Sequence, residues 1–271
     1  MRKSLIALLI LTMLFVVTAC NPEQEASVPE GTAINTLDEL KTAVVTEGKY
    51  YLANDIEIEG FIDITAPITL DGNGKTIKVK YTQIAERNNG LVVKTSGITI
   101  KNVKFESVNG GLRNSAMIAV FGNGTADKPV VIDSCSFDSK KELSDATLGE
   151  SAIIVDYTGG NYLTVKNCKI KNVKYGMYFN HISNATVSNN TIDGTLYNGI
   201  IVAADSSEYR CSNVTIEKNT LQNISSANYD NDLYSSGIVV GQYSSDVEIK
   251  SDNSITMLND KKPTYIVSSG S

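Results

Sequence analysis

Lysine, tyrosine and aspartate side chains recur in the second half of the chain at positions suited to recognising a sugar. Aromatic rings cover the apolar face of a sugar, and carboxylates accept hydrogen bonds from its hydroxyl groups. Tyrosine is also common in strands and aspartate in loops, so residue type alone leaves open whether these positions bind a ligand. The candidate ligand-binding residues are Lys174, Tyr175, Asp193, Tyr197, Tyr229, Asp230, Asp232 and Tyr234.

Acid–base chemistry has three candidate residues in the same half of the chain. Asp193 and Lys174 belong to the set above, and His181 is the only histidine. An imidazole titrates near neutral pH and could act beside Asp156 and Tyr157 of the preceding repeat. No second catalytic group stands at a defined spacing from His181, so a solvated turn histidine is the competing interpretation and no catalytic residue is assigned.

Asp230 and Asp232 are the candidate metal ligands. They are separated only by Asn231, and Asp193 is a third candidate if the fold brings it near. Carboxylate and amide oxygens are the ligands that Ca²⁺ prefers, but the stretch lacks the spaced run of acids found in an EF-hand loop. We expect no obligatory cofactor and keep calcium as an alternative.

Two strand patterns alternate along the chain and must position these residues. The step from Val165 to Val187 is 22 residues and that from Met177 to Ile200 is 23. One such strand pair cannot bury its apolar row, so each coil should stack in parallel on the next, about 4.8 Å away. The predicted interior ladder is Ile100, Ile132, Val165, Val187, Ile216 and Ile249. The predicted turn column, where left-handed backbone angles favour asparagine, is Asn102, Ser134, Asn167 and Asn189.

With these repeats, and with the Leu-Asp-Gly-Asn-Gly-Lys-Thr-Ile segment that begins at Leu70, the chain resembles the pectin-lyase-like superfamily over roughly Ile56 to Ile255. The resemblance implies an all-β fold, a right-handed parallel β-helix. It does not imply one activity, because that superfamily holds enzymes, adhesins and binding modules.

The motifs of the superfamily's enzymes are largely missing. Thr191–Gly194 only approaches one Asp motif of the polygalacturonase-like members, and their Gly-His-Gly and Arg-x-Lys motifs are absent. Pectate-lyase-like members pair Ca²⁺-binding acids with an arginine base. Here Arg87, Arg113 and Arg210 all fall outside the candidate set, so Lys174 would have to take that role.

Loop lengths indicate where a ligand would lie. The connection from the first strand pattern to the second is short at 171–175 and at 193–198, but long at 138–150 and at 222–235. Two low coils between two tall loops predict a trough on the order of 10 Å wide, with Glu142 and Asp145 on one wall. Insertions of this kind are where solenoids carry binding sites.

The N-terminus resembles a bacterial lipoprotein signal. Arg2 and Lys3 precede an apolar run that ends in Val17-Thr18-Ala19-Cys20. The resemblance implies a signal peptide at 1–19, lipidation of Cys20, and export to a membrane surface held by acyl chains. Residues 20–33 then form a tether and 34–271 the β-helix domain.

A capping α-helix is expected near 36–47, because Thr36 and Glu39 form a capping box and Gly48 offers a stop. Such a helix would cover the first coil of the solenoid.

The net charge of the chain limits the classes of partner that it can bind. Loss of the signal leaves 22 basic against 30 acidic residues, a net charge of −8. Nucleic acid and anionic lipid are therefore disfavoured, and so is an acidic polysaccharide unless Ca²⁺ bridges it. We expect a monomer. Cys135 and Cys168 share one repeat column, where a disulfide is conceivable but two buried thiols are favoured.

Three functional hypotheses remain open at this point. The first is a lipid-anchored envelope protein that binds an extended glycan in the trough without turnover. The second is a calcium-assisted polysaccharide lyase or hydrolase that uses Asp193, Asp230, Asp232 and Lys174. The third is a structural or adhesion protein, which a broad apolar patch away from the trough would favour.

Overall fold

The structure, a computed structural model, describes residues 29–82, 89–110, 115–139, 150–155, 159–204 and 206–267. The strands are β1 (Thr32–Ile34), β2 (Gly48–Leu52), β3 (Ile56–Glu59), β4 (Ile62–Ile64), β5 (Ile68–Asp71), β6 (Thr76–Lys80), β7 (Asn89–Val93), β8 (Ile98–Lys101), β9 (Lys104–Ser107), β10 (Ala116–Val120), β11 (Val130–Asp133), β12 (Ser136–Asp138), β13 (Ser151–Val155), β14 (Leu163–Lys166), β15 (Lys169–Val173), β16 (Met177–Phe179), β17 (Ser183–Ser188), β18 (Thr191–Thr195), β19 (Ile200–Val202), β20 (Cys211–Glu217), β21 (Thr220–Ile224), β22 (Ile238–Val240), β23 (Ser244–Ile249), β24 (Ser254–Met257) and β25 (Thr264–Ile266). The helices are α1 (Leu37–Ala43) and α2 (Asp232–Ser235).

Three parallel sheets run the length of the molecule. Sheet A has the order β1-β2-β5-β8-β11-β14-β17-β20-β23, sheet B the order β3-β6-β9-β12-β15-β18-β21-β24, and sheet C the order β4-β7-β10-β13-β16-β19-β22-β25. From β3 onward the chain visits B, C and A in turn, so each circuit adds one coil. The predicted β-helix, with its short N-terminal helix, is confirmed.

The interior ladder is also confirmed. Ile100 pairs with Ile132, Val165 with Ile132 and with Val187, and Ile216 with Val187 and with Ile249. All of these side chains are fully buried except Ile249, which lies in the last coil and is half-buried. Stacking identical aliphatic shapes in register therefore builds the core that no single coil could bury.

The predicted turn column adopts left-handed backbone angles, with φ of 55° at Asn102, 54° at Ser134, 56° at Asn167 and 55° at Asn189. Two of its amides bond to aspartates rather than to one another. Asn102 Nδ2 donates to Asp71 Oδ1 over 3.1 Å, and Asn167 Nδ2 donates to Asp133 Oδ1 over 2.8 Å.

A buried amide ladder occupies the next column, where the sequence did not predict it. Asn190 Nδ2 donates to Asn219 Oδ1, and Asn219 Nδ2 donates to Asn253 Oδ1, each over 2.9 Å. Asn219 is 0 % exposed and also donates to the carbonyl of Val187. Its Oδ1 accepts a second bond, from the backbone N–H of Asn190, so the amide is fully satisfied by the coils on either side.

The earlier coils fill this column with cysteine. Cys135 and Cys168 are buried free thiols, as is Cys211 elsewhere. Cys168 Sγ donates to the carbonyl of Lys166 over 3.2 Å, and the backbone N–H of Cys168 donates to Asn190 Oδ1, so thiols and amides form one continuous stack. Burial, and then the neighbouring Cys168, raise the pKa of Cys135 well above its ordinary value. Burial thus disfavours the thiolate of Cys135, which is the reactive form of a cysteine.

Helix α1 confirms the predicted capping helix but is shorter than predicted. The hydroxyl of Thr36 accepts from the backbone N–H of Glu39, whose carboxylate accepts from Asn35. The helix ends at Ala43, and Gly48 begins β2 instead of stopping the helix. The reason is tertiary, because the chain must turn early to join sheet A.

The predicted signal peptide, the lipidation at Cys20 and most of the tether lie outside the described residues. The described chain begins at Pro29, and β1 starts at Thr32, one residue before the predicted end of the tether at 33. No helix among the described residues is long and apolar enough to span a bilayer.

Alternating charges line the outer face of sheet A. Asp71, Lys101, Asp133 and Lys166 are paired in register from one coil to the next. The Lys101 ammonium lies 3.1 Å from Asp71 and that of Lys166 lies 3.4 Å from Asp133. Burial alone would raise the pKa of Asp133, but hydrogen bonds from Asn167 and Ser134 and the charge of Lys166 outweigh it, so the pKa is lowered.

Candidate functional site

The candidate site lies at the corner where the chain passes from sheet B to sheet C, here called the B–C corner. Its connections span 174–176 and 196–199 in two consecutive coils, 139–150 in the coil before them, and 225–237 in the coil after. The predicted sequence of long, short, short and long connections is therefore present. Glu142 and Asp145 lie outside the described residues, so that wall of the trough stays a prediction.

Five tyrosines form a continuous series across this corner, here called the tyrosine row. The ring of Tyr175 lies 5.3 Å from Tyr178, at a steep angle, and 5.2 Å from Tyr197, on which it stacks. Tyr197 lies 5.8 Å from Tyr229, and Tyr229 lies 6.5 Å from Tyr234, both edge to face. Edge-to-face and offset stacked rings at these separations attract one another, so the row is held together without a ligand.

The accessible part of the row is the wall formed by residues 225–237. Tyr229 is 52 % exposed and Tyr234 is 42 % exposed, whereas Tyr175 and Tyr178 are half-buried. Tyr197 is only 8 % exposed. Tyr197 therefore supports the row from beneath. Its predicted contact with a ligand on the trough floor stays a prediction, which this burial does not support.

Lys174 is also beneath the row rather than on its surface. It is 3 % exposed, and its ammonium lies 5.5 Å from the centre of the Tyr197 ring, within the range of a cation–π contact. Its backbone N–H donates to the carbonyl of Glu150 over 2.8 Å. The predicted role of Lys174 as an exposed binding or catalytic group is not supported by this burial.

Two buried ionisable side chains at the corner were not predicted from the sequence. Glu150 is 0 % exposed and Tyr81, two coils earlier, is 4 % exposed. Burial, and then the negative charge of Glu150, raise the pKa of Tyr81 well above its ordinary value. A lone glutamate between a polar loop and a strand is read as a solvated loop residue, so only the stacking of coils shows that it is buried.

The three predicted aspartates are already engaged within the chain. Asp193 Oδ1 accepts from Asn223 Nδ2 over 2.7 Å. Asp230 lies 3.6 Å from the Lys261 ammonium, and Asp232 lies 2.7 Å from that of Lys262. The hydrogen bond to Asp232, and then its charge, raise the pKa of Lys262. Both lysines lie at the B–C corner of the next coil, so these contacts join the 225–237 connection to the last coil.

The calcium hypothesis gains no geometric support from these positions. Within the described parts of the chain, no group of three or more His, Cys, Asp and Glu side chains is close enough to hold a metal ion. Asp230 and Asp232 each face a lysine instead, so calcium binding stays an untested alternative.

The outward face of sheet C, beside the row, is apolar. In β16 the outward Tyr178 lies between the inward Met177 and Phe179, and the same alternation runs through the sheet. Its outward column in register is Asp63, Val92, Ala119, Ile154, Tyr178, Ile201, Val239 and Tyr265. In this described column only Asp63, at the far end, carries a carboxyl group. Half of the column is buried, with Ala119 and Val239 at 0 % exposed, Ile201 at 3 % and Val92 at 4 %. Of its apolar and aromatic members, only Ile154, Tyr178 and Tyr265 are partly exposed.

His181 lies at another corner. Its ring is 6.0 Å from that of Tyr209, at a steep angle. Asp156 and Tyr157, its expected neighbours, lie outside the described residues. Its catalytic role stays a prediction, and it is not part of the tyrosine row.

Comparison with known proteins bears on the fold. The family model described as the right-handed beta helix region matches residues 67–271. No curated protein matches the chain. Among solved structures, a similar one is the crystal structure of alginate lyase from Paenibacillus sp. str. FPU-7, with 10% identity, a TM-score of 0.46, and coverage of 87% of this chain and 97% of that chain. A likeness at this level carries no argument about substrate or activity.

Proposed function

This chain belongs to the right-handed β-helix family, and from that premise we propose that it binds an extended glycan along the tyrosine row without cleaving it. The fold does not decide between catalysis and binding, so the proposal rests on the site. The observation that carries it is the tyrosine row itself, whose two exposed rings stand on a wall beside two short connections.

The physical basis is preorganisation. Tyr229 and Tyr234 are exposed, yet each is fixed by a neighbouring ring, and Asn231 caps the short helix α2 that carries Tyr234 by accepting from the N–H of Leu233. A rigid aromatic platform loses little conformational entropy when a sugar ring packs on it. The paired aspartates at its margin keep oxygens available for sugar hydroxyl groups, since each carboxylate has further lone pairs.

The absence of turnover is part of the proposal. Its support is that Lys174 and Glu150 are buried, and that the exposed or partly exposed carboxylates of Asp230 and Asp232 each face a lysine. General acid–base catalysis requires a group that can transfer a proton within hydrogen-bonding reach of the bond that breaks.

Lipidation of Cys20 and attachment to a bacterial envelope complete the proposal. Its support is the N-terminal sequence alone, with Arg2, Lys3 and the apolar run that ends at Cys20. An acylated protein would carry the binding face at a membrane surface.

The test uses the chain with Cys20→Ser in glycan retention and titration calorimetry. The double variant Tyr229→Ala/Tyr234→Ala should weaken binding about tenfold, or about 1.4 kcal/mol, with little loss of thermal stability because both rings are exposed. Tyr51→Ala, a half-buried tyrosine on β2 at the far end of sheet A, is the matched control and should bind normally. Equal binding by all three proteins, or release of new reducing ends from the glycan, refutes the proposal.

A further inference from the structure

From the charges that surround the tyrosine row, we propose that its ligand is a neutral glycan, whose sugars carry no carboxylate. This inference rests on the proposed function and adds the chemical class of the ligand. It depends on where the lysines and aspartates of the described corner lie and on the surface that the tyrosine rings offer.

The lysines near the row are buried, paired with aspartates or flanked by them. Lys174 is 3 % exposed beneath Tyr197. Lys261 and Lys262 each face an aspartate, at 3.6 Å and 2.7 Å. Lys171 stands in register between Asp138 and Asp193 of the adjoining coils. A sugar carboxylate would therefore have to displace an aspartate to reach Lys261 or Lys262. At the exposed Lys171 it would lie beside the aspartates of the two adjoining coils.

The aspartates of the corner are exposed or partly exposed. Asp230 is fully exposed, and Asp193 and Asp232 are partly exposed on the same corner. A uronate chain along the row would bring further negative charge beside them, and like charges across an interface oppose association. A bridging Ca²⁺ could offset this repulsion, but no described cluster of acids is ready to hold one.

The tyrosine row offers aromatic surface for contact with a sugar chain. The rings of successive coils, Tyr175 with Tyr197 and Tyr197 with Tyr229, lie 5.2 and 5.8 Å apart. These separations are close to one coil spacing, about 4.8 Å, and to the advance per sugar of an extended β-1,4-linked chain. The two exposed rings, Tyr229 and Tyr234, lie 6.5 Å apart on one connection. In the outward column of sheet C, Ile154 stands in register with Tyr178 and is partly exposed, whereas Ile201 and Val239 are buried. Tyrosine faces beside an aliphatic side chain suit the C–H faces of uncharged sugars.

The experiment compares two probes of the same linkage that differ only in the carboxylate, β-1,4-mannan oligosaccharides and β-1,4-mannuronan oligosaccharides of equal length. Both are titrated into the Cys20→Ser chain at physiological salt, with calcium and with chelator. We expect the neutral probe to bind at least tenfold more tightly under both conditions. The same comparison with cello-oligosaccharides and their C6-oxidised counterparts guards against an effect of sugar configuration.

A variant separates repulsion from simple lack of fit. Asp230→Asn removes a negative charge and also removes the ion-pair partner of Lys261. The preference for the neutral probe should therefore shrink severalfold, and more at low salt than at high salt. Asn228→Asp, two residues away on the same wall, adds a charge and should enlarge the preference.

The outcomes distinguish the two proposals. Equal binding, or tighter binding of the uronate probe, overturns the neutral-ligand inference and leaves glycan binding standing. Retention of no glycan of either class overturns the proposed function and the inference together. A preference that Asp230→Asn leaves unchanged also overturns the inference, because charge would then not be its cause.

Discussion

Replacing Asn219 by leucine should destabilise the solenoid, because leucine cannot make the hydrogen bonds of the buried amide. The amide is fully buried and accepts from the backbone N–H and from Nδ2 of Asn190, while donating to the carbonyl of Val187 and to Asn253 Oδ1. Leucine has nearly the same volume but leaves at least the Asn190 N–H and the Val187 carbonyl without these partners. Each buried polar group left unsatisfied costs about 1–3 kcal/mol, so we expect a loss of about 4 kcal/mol. That is a large share of a typical domain's stability, about 5–15 kcal/mol.

Urea unfolding followed by far-UV circular dichroism measures this loss, with tyrosine fluorescence as a second probe because the chain has 13 tyrosines and no tryptophan. Asn219→Asp sharpens the test. A carboxylate there faces the Val187 carbonyl and Asn253 Oδ1 instead of donating to them, so its pKa should rise on folding and protonation should restore a donor. The variant should therefore regain part of its stability as pH falls from 7 to 5, whereas Asn219→Leu should not.

Asn213→Asp is the matched control. Asn213 also has a left-handed backbone, with φ of 52°, but it is exposed and bonds only to Asn184 in the ladder of its own turn. Its replacement should change stability by less than about 0.5 kcal/mol, as is usual for surface positions. If Asn219→Leu costs no more than this control, the reasoning from buried hydrogen bonds is refuted.

Two further predictions concern pH and backbone conformation. The pKa values of Asp71 and Asp133 are lowered, so folding favours their charged forms. Their contribution to the free energy of unfolding is complete above the unfolded pKa, about 3.9, and is lost as pH falls through the lower folded values. Urea midpoints at pH 6 and pH 3 should therefore differ less in Asp133→Asn than in the unchanged chain, and an equal difference would contradict this. Gly194 has φ of +85° and shares a column with Asn172 and Asn223, which also have left-handed backbones, and a Cβ at Gly194 would meet only ordinary contacts. Gly194→Asn should therefore melt within a few degrees of the unchanged chain, while Gly194→Val should lose about 1–2 kcal/mol of stability. Equal melting of the two variants would contradict this reasoning from backbone conformation.

The fold was predictable because its core obeys a simple rule. Alternating β-branched residues at a constant step identify Val165 and Val187 as neighbours in one ladder, and the structure pairs them. The turn column followed from the tolerance of asparagine for left-handed angles. The amide ladder did not, because its column reads Cys135, Cys168, Asn190, Asn219 and Asn253, and nothing in those letters says that thiols and amides share a position.

The candidate site was predictable in outline only. Connection lengths located the corner and identified Tyr229 and Tyr234, which the structure exposes. They could not show that Tyr197 and Lys174 point beneath the row, or that Glu150 is buried beside it. The depth of a corner residue depends on the height of the neighbouring coils, and sequence spacing within one coil does not contain that information.

The alternating charges on sheet A restrict how such a chain can grow. Asp71, Lys101, Asp133 and Lys166 meet in register, each opposite in sign to the next. Deleting the one coil that carries Lys101 would bring Asp71 against Asp133, whereas deleting or copying two successive coils would keep every neighbour of opposite sign. On this face the unit of duplication is thus a pair of coils, and a gene that lengthens or shortens the solenoid there is expected to do so in steps of two.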